Sequence, residues 1–139
     1  MFRNRIEVEI EWGDCDPADI VYYPNFFRWF NRGAHKLFDA VGLPFHELIK
    51  DRDTVGVPLL DARATFLAPV RFGDVVTVTS WIEEWRNKSF VVGHQIHNKD
   101  VLSVEGQEIR AWVRKDPDKP NGLRAVPIPD DIKRRFASR

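Results

Sequence analysis

Two carboxylates one residue apart, Asp14 and Asp16, flank the chain's single cysteine, Cys15, a few residues before Pro24. A carboxylate can drive attack on an acyl carbonyl as the general base for a water, or as the nucleophile that forms a mixed anhydride. The carbonyl oxygen then gains negative charge and needs donors. Bare N–H groups at a helix N-terminus supply them, aided by the helix dipole. Pro24 reads as a first helical residue, where its missing N–H costs nothing. Tyr23, just before it, therefore offers its backbone N–H as a candidate carbonyl clamp, and Asp16 and Asp14 in the preceding loop are the candidate carboxylates. Outside this context an aspartate before proline is a turn former, and Asp14 is as well suited to a hydrogen bond within the loop. Cys15 has no histidine near it in sequence to activate it, and lone cysteines are commonly inert. Asn25 reads as a helix-capping or site-lining amide.

The elements that must position these groups follow from periodicity. Ile6, Val8, Ile10 and Trp12 alternate with Arg5, Glu7, Glu9 and Glu11, so residues 5–12 are expected to form a half-buried strand. Gly13 to Pro17 breaks it. Phe27, Phe30, Ala34, Leu37, Phe38 and Val41 then recur at helical spacing, which predicts a long amphipathic helix over Pro24–Val41. Gly42 and Pro44 end it, and a short helical turn is expected over Phe45–Lys50. Strands are expected over Val55–Leu67, Val75–Trp85, Ser89–His97, Val101–Lys115 and Leu123–Val126, with a hairpin tip at Arg86-Asn87-Lys88 and a charged helix or tail over Pro129–Arg139. One strand, one long helix and a run of consecutive strands predict a single α+β domain over residues 1–139, an antiparallel sheet wrapped around one central helix.

Composition excludes several function classes. The chain has 139 residues, 43% apolar and 30% charged, with 21 basic and 21 acidic side chains. That balance argues against a nucleic-acid partner, which calls for basic excess. No apolar run is long enough to span a membrane, and no signal-peptide pattern follows Met1, so the expected location is the cytoplasm. His94 and His97 are an odd number of residues apart on a predicted strand, hence on opposite faces and unsuited to shared metal ligation. His46-Glu47 lacks the second histidine of a zinc-protease motif. There is no G-x-S-x-G element. No metal and no cofactor are expected.

The run from Trp12 to Phe26, Trp-Gly-Asp-Cys-Asp-Pro-Ala-Asp-Ile-Val-Tyr-Tyr-Pro-Asn-Phe, resembles the signature of the 4-hydroxybenzoyl-CoA thioesterase family, G-D-C-D-x-x-G-x-V-x-Y-P-N-Y. Arg71-Phe72-Gly73-Asp74, Glu84 to Phe90 and Arg124 to Pro129 are similar as well, in the same order. The resemblance implies a hotdog fold, acyl-CoA substrates, and homodimers or homotetramers with active sites at the dimer interface. It implies that Asp16 is the catalytic carboxylate and that the Tyr23 N–H polarises the thioester. Asn25, Trp29 and Asn31 are candidate site residues; Arg86, Lys88 and Ser89 are candidate contacts for the phosphates of CoA. Two departures bear on specificity. Asn31 stands where that family carries an acidic residue suited to a substrate phenol, and Asp19 replaces a glycine. The expected activity is hydrolysis of an aromatic or short- to medium-chain acyl-CoA. A noncatalytic acyl-CoA-binding module is the alternative, and a hotdog hydratase would need a histidine beside the carboxylate.

Overall fold

The computed structural model describes residues 1–51 and 54–137. Its elements are β1 (Arg3–Glu9), a 3-10 turn (Trp12–Asp14), α1 (Pro24–Ala40), α2 (Phe45–Asp51), β2 (Leu59–Phe66), β3 (Val75–Trp85), β4 (Ser89–Asn98), β5 (Val101–Ala111), β6 (Val113–Lys115), β7 (Leu123–Ala125) and α3 (Asp130–Ala137). Five strands form one antiparallel sheet in the order β1-β3-β4-β5-β2, and β6 pairs with β7 in a separate ribbon. The sheet wraps α1, the hotdog arrangement.

The helix lies on the sheet because its apolar residues fall on one stripe: Phe26, Trp29, Phe30, Gly33, Ala34, Leu37 and Phe38 are buried. Around its first half they pack with Val8, Ile10, Val76, Val78, Ile96 and Val104. Around its second half Leu37, Phe38 and Val41 meet Phe90, Val92, Trp112, Ile132 and Phe136. Phe38, with no exposed surface, touches the rings of Phe45, Phe90 and Phe136; truncating such a side chain to alanine costs about 3–5 kcal/mol. Gly33 lets the helix approach closely, since a Cβ there would lie 2.5 Å from the Ser80 hydroxyl. Gly42 ends the chain's helical course with a φ of 78°, a left-handed conformation in which glycine is unstrained.

Most boundaries match the pattern read from the residues, and the differences have local causes. The alternation was expected to carry Trp12 onto the buried face of the first strand. Instead β1 ends at Glu9 and Trp12 is 72% exposed. The Asp14 carboxylate accepts from the Glu11 N–H at 2.9 Å and pulls the chain into the 3-10 turn, where Trp12 meets Phe72 edge-on. The strand expected over Val101–Lys115 breaks at Trp112, whose N–H turns to the Lys88 carbonyl (2.9 Å). That over Val55–Leu67 begins only at Leu59, after Pro58. The stretch expected as a helix or tail forms α3; its final residues, 138 and 139, lie outside those described.

Candidate active site

The loop that carries Asp16 is held by a short antiparallel ladder. Asp16 N–H donates to the Ile20 carbonyl (2.9 Å), Cys15 bridges Val21, and Tyr22 N–H donates to the Asp14 carbonyl (2.9 Å). Asn25, in the first turn of α1, donates its Nδ2 to that same Asp14 carbonyl at 2.9 Å. Val21 N–H is anchored on Val70 (2.8 Å). The segment bearing Asp16 is thus stitched to the segment that enters α1.

Within the loop Asp16 Oδ1 accepts from Ala18 N–H at 2.8 Å, and Asp19 N–H returns to the Asp16 carbonyl. This is an Asx turn, the structural role expected of an Asp-Pro. It uses only one carboxylate oxygen: among the described residues Oδ2 accepts no hydrogen bond, and the residue is half-buried. Asp19 takes a φ of 64°, which explains why a glycine suits this position. Asp14 Oδ2 accepts from the Glu11 N–H. The Cys15 thiol is pushed up from its ordinary pKa by burial and by the carboxylates of Asp19, Asp14 and Asp16, so the thiolate needed for attack is disfavoured.

Tyr23 is the N-cap of α1, with φ −55° and ψ −33°. A residue before proline is normally driven out of this helical region by the proline ring, so its placement is held by the surrounding hydrogen bonds. Its N–H has no hydrogen-bond partner among the described residues, and Pro24 contributes none. Beside it opens a cavity of about 250 Å³ lined by Ile20, Val21, Tyr23, Phe26, Phe66 and Val70, with Leu67 to Pro69. An unsatisfied donor at the positive end of a helix, next to an apolar cavity and a carboxylate-bearing loop, can hold an acyl carbonyl and expose its carbon to attack.

The remaining candidates divide. Trp29 is 1% exposed and lies edge-on to Phe26 in the core, so within this chain it is a packing residue and presents no surface to a ligand. Asn31 is exposed on α1, and its Oδ1 accepts from the Arg110 guanidinium at 2.9 Å. Arg86, Lys88 and Ser89 do cluster at the β3–β4 hairpin tip, where Arg86 pairs with Glu84 (3.1 Å) and Arg86 N–H bonds the Ser89 carbonyl. That tip lies at the far end of β3 from the Pro69–Asp74 turn that anchors Val21. Eleven residues of strand put roughly 35 Å between the two ends. One chain therefore does not bring the tip to Asp16.

One set of functional-looking residues escaped sequence reasoning. Ser80 Oγ and His94 Nδ1 are 2.8 Å apart, and His94 Nε2 lies 2.8 Å from Glu108 Oε1. Arg110 bonds Glu108 (2.9 Å), the Val57 carbonyl (3.1 Å) and Asn31. The geometry has the parts of a nucleophilic triad, but Ser80, His94 and Glu108 are at most 2% exposed, beneath α1, with His94 stacked on Phe30. Within this chain they present almost no surface to a substrate. Burial holds the His94 imidazole neutral, its pKa lowered from 6.5. Burial alone would raise Glu108, but the His94 hydrogen bond and the Arg110 guanidinium hold its carboxyl below the ordinary value. The signal was present in three polar residues at inward-facing strand positions. Their partnership required the register that sets Ser80 opposite His94.

The family described as the thioesterase-like superfamily matches residues 10–136 of this chain. The 4-hydroxybenzoyl-CoA thioesterase of Pseudomonas sp. (strain CBS-3) is 36% identical over 132 residues, covering 91% of this chain and 92% of that one. Its solved structure superposes with a TM-score of 0.88 at 34% identity, covering 96% and 98%. A gentisyl-coenzyme A thioesterase superposes with a TM-score of 0.81 at 30% identity, covering 96% and 99%. The chain belongs to the thioesterase-like superfamily. Within it, the activity is that of an acyl-CoA thioesterase.

Proposed function

We propose that the chain hydrolyses an aromatic or short- to medium-chain acyl-CoA thioester to the free acid and CoA, with Asp16 as the acting carboxylate and the Tyr23 N–H as the carbonyl clamp. The observation that carries this is the ladder from Asp14 to Tyr22, which fixes the Asp16 loop against the start of α1 beside an unpaired Tyr23 N–H. The thioester oxygen accepts from that N–H; negative charge developing on it is met by the amide and the helix end. The free Asp16 oxygen either takes a proton from water as that water attacks, or attacks the carbon itself and is released by water. In both routes thiolate leaves and one water is consumed. No metal or cofactor enters the scheme.

The aromatic preference is supported by the walls of the adjoining cavity and by relatives named for 4-hydroxybenzoyl-CoA and gentisyl-CoA. Asn25 positions the loop. Arg110 occupies the Asn31 oxygen, so the amide N–H of Asn31 is left to meet an acceptor on the acyl group, in place of an acidic residue receiving a phenol proton. Arg86, Lys88 and Ser89 contact CoA phosphates. Because the hairpin tip is a strand's length from Asp16, those contacts require a second subunit, and we place the working site at a homodimer or homotetramer interface. The exposed edge strand β2, with Leu59, Leu60 and Phe66 uncovered, fits such an interface. Among the described residues no helix is long and apolar enough to cross a membrane; we place the enzyme in the cytoplasm, with no nucleic-acid partner.

The test is thiol release from a panel of aroyl-, phenylacyl- and straight-chain acyl-CoA thioesters. Hydrolysis of at least one class, abolished in Asp16→Asn while substrate still binds, supports the reading. Undiminished turnover by that variant refutes it.

A further inference from the structure

The outer face of the sheet, away from α1, carries a groove of about 580 Å³ whose walls are polar and basic. Arg3 and Arg5 reach it from β1, Thr77 and Thr79 from β3, Gln95 and His97 from β4, and Lys99 from the turn beyond. The strand register explains the convergence: Arg5 lies opposite Thr79, Thr79 opposite Gln95, and Thr77 opposite His97. Side chains two residues apart share a face, so Arg3, Arg5, Lys99, His97 and Thr77 lie to one side, with Thr79 largely buried between them. Lys99 is held in the turn by a left-handed backbone (φ 55°). The Arg3 guanidinium lies 4.1 Å over the Trp81 ring, which limits its freedom and leaves its N–H edge available.

Charge makes this more than a wetted surface. The whole chain is balanced, 21 basic against 21 acidic residues, yet Arg3, Arg5 and Lys99 form no ion pair among the described residues. Carboxylates stand at the margins: Glu7 opposite Thr77, Glu105 opposite Gln95, and Asp100 next to Lys99 in the turn. None lines the groove or is ion-paired with Arg3, Arg5 or Lys99 among the described residues. Unneutralised cations beside hydroxyl and amide donors suit a multiply charged oxyanion, which accepts several charge-assisted hydrogen bonds at once.

The geometry points to a second ligand site on this face, specific for a diphosphate group, either free or as the head of a nucleotide. It is distinct from the Arg86–Ser89 hairpin tip at the other end of β4 and from Asp16, and it does not depend on the proposed hydrolytic mechanism. The fit is to the phosphate chemistry; no aromatic face in the groove is open to a base, since Trp81 is covered by Arg3.

Calorimetric titration of the purified protein with inorganic pyrophosphate, ADP and AMP tests it. The expected result is saturable binding of pyrophosphate and ADP, weaker for AMP and weakened by added salt. Arg5→Glu/Lys99→Glu should lose about tenfold or more in affinity, the scale of a lost charge-assisted contact. Equal affinities for pyrophosphate and ADP mark the diphosphate as the ligand; tighter ADP marks a nucleotide. Both altered positions face solvent, so an unchanged thermal midpoint confirms the fold, and Arg5→Gln provides a milder second variant. Absence of saturable binding overturns the proposal. So does binding that survives both charge reversals, or binding that Lys88→Glu abolishes, which would move it to the hairpin tip.

Discussion

Glu108→Gln is the most informative single change outside the active site. Glu108 carries the only carboxylate hydrogen-bonded to the buried Arg110 guanidinium among the described residues, at 2.9 Å, and both side chains are almost fully enclosed, at 3% and 6% exposure. The glutamine keeps the shape but strands a cation in the core. Removing one partner of a buried pair costs about 3–5 kcal/mol, a large share of the roughly 5–15 kcal/mol that holds a domain folded. Urea unfolding at neutral pH, at fixed protein concentration, should show the midpoint fall accordingly. Glu108→Gln/Arg110→Met, which removes both charges, should recover much of the loss. The pH dependence has a definite sign. His94 is held below its ordinary 6.5 chiefly by burial, so the unfolded chain takes up a proton first and stability declines as pH falls through 6.5. Glu108 is held below 4.5, so its contribution is present above that value and is lost as pH drops further toward its folded pKa. Both act in the same direction, and the Glu108 part disappears in the glutamine variant. A midpoint change of less than about 1 kcal/mol, or a double variant no more stable than the single one, would refute the assignment of Glu108 as the counter-ion.

Other expectations follow from the same geometry. Tyr23→Phe should leave kcat nearly unchanged, because only the backbone is used, whereas Tyr23→Pro fits the φ of −55° and deletes the N–H, lowering kcat about 10²–10³-fold; equal rates for the two would remove the clamp from the scheme. Gly33→Ala, whose Cβ meets the Ser80 hydroxyl, should cost about 1–3 kcal/mol in thermal or urea unfolding, and less when combined with Ser80→Ala than the two single costs added. Asp19→Gly should raise stability by about 1 kcal/mol or less by relieving the left-handed φ, with no change in thioesterase rate.

The fold was legible because its signals are local and periodic. The stripe from Phe27 to Phe38 specified the helix, Gly42 its end, and the dense β-formers from Val75 to Trp85 the interior strand β3, whose ends match those observed. The failures lie where a side chain redirects the backbone. Asp14 curls the chain away from Trp12's expected position, and Trp112 leaves its strand for the Lys88 carbonyl. For the site, residue types placed Asp16 and Tyr23 as candidates, but only the Cys15–Val21 bridge and the unpaired amide relate them in space. Trp29 was a candidate site residue, and within this chain it is 1% exposed and packed on Phe26. The Ser80–His94–Glu108–Arg110 chain could not be read from spacing, because its members meet only across strands.

In the proposed reaction two groups, the Asp16 carboxylate and the Tyr23 amide, serve one carbonyl. A structure of the Asp16→Asn variant with a bound, intact aroyl-CoA tests this most directly. The prediction is a thioester oxygen about 3 Å from the Tyr23 nitrogen, with the residue-16 side chain facing the carbonyl carbon, directly or through one water. A thioester bound elsewhere, or one whose oxygen leaves the Tyr23 amide unpaired, would contradict it.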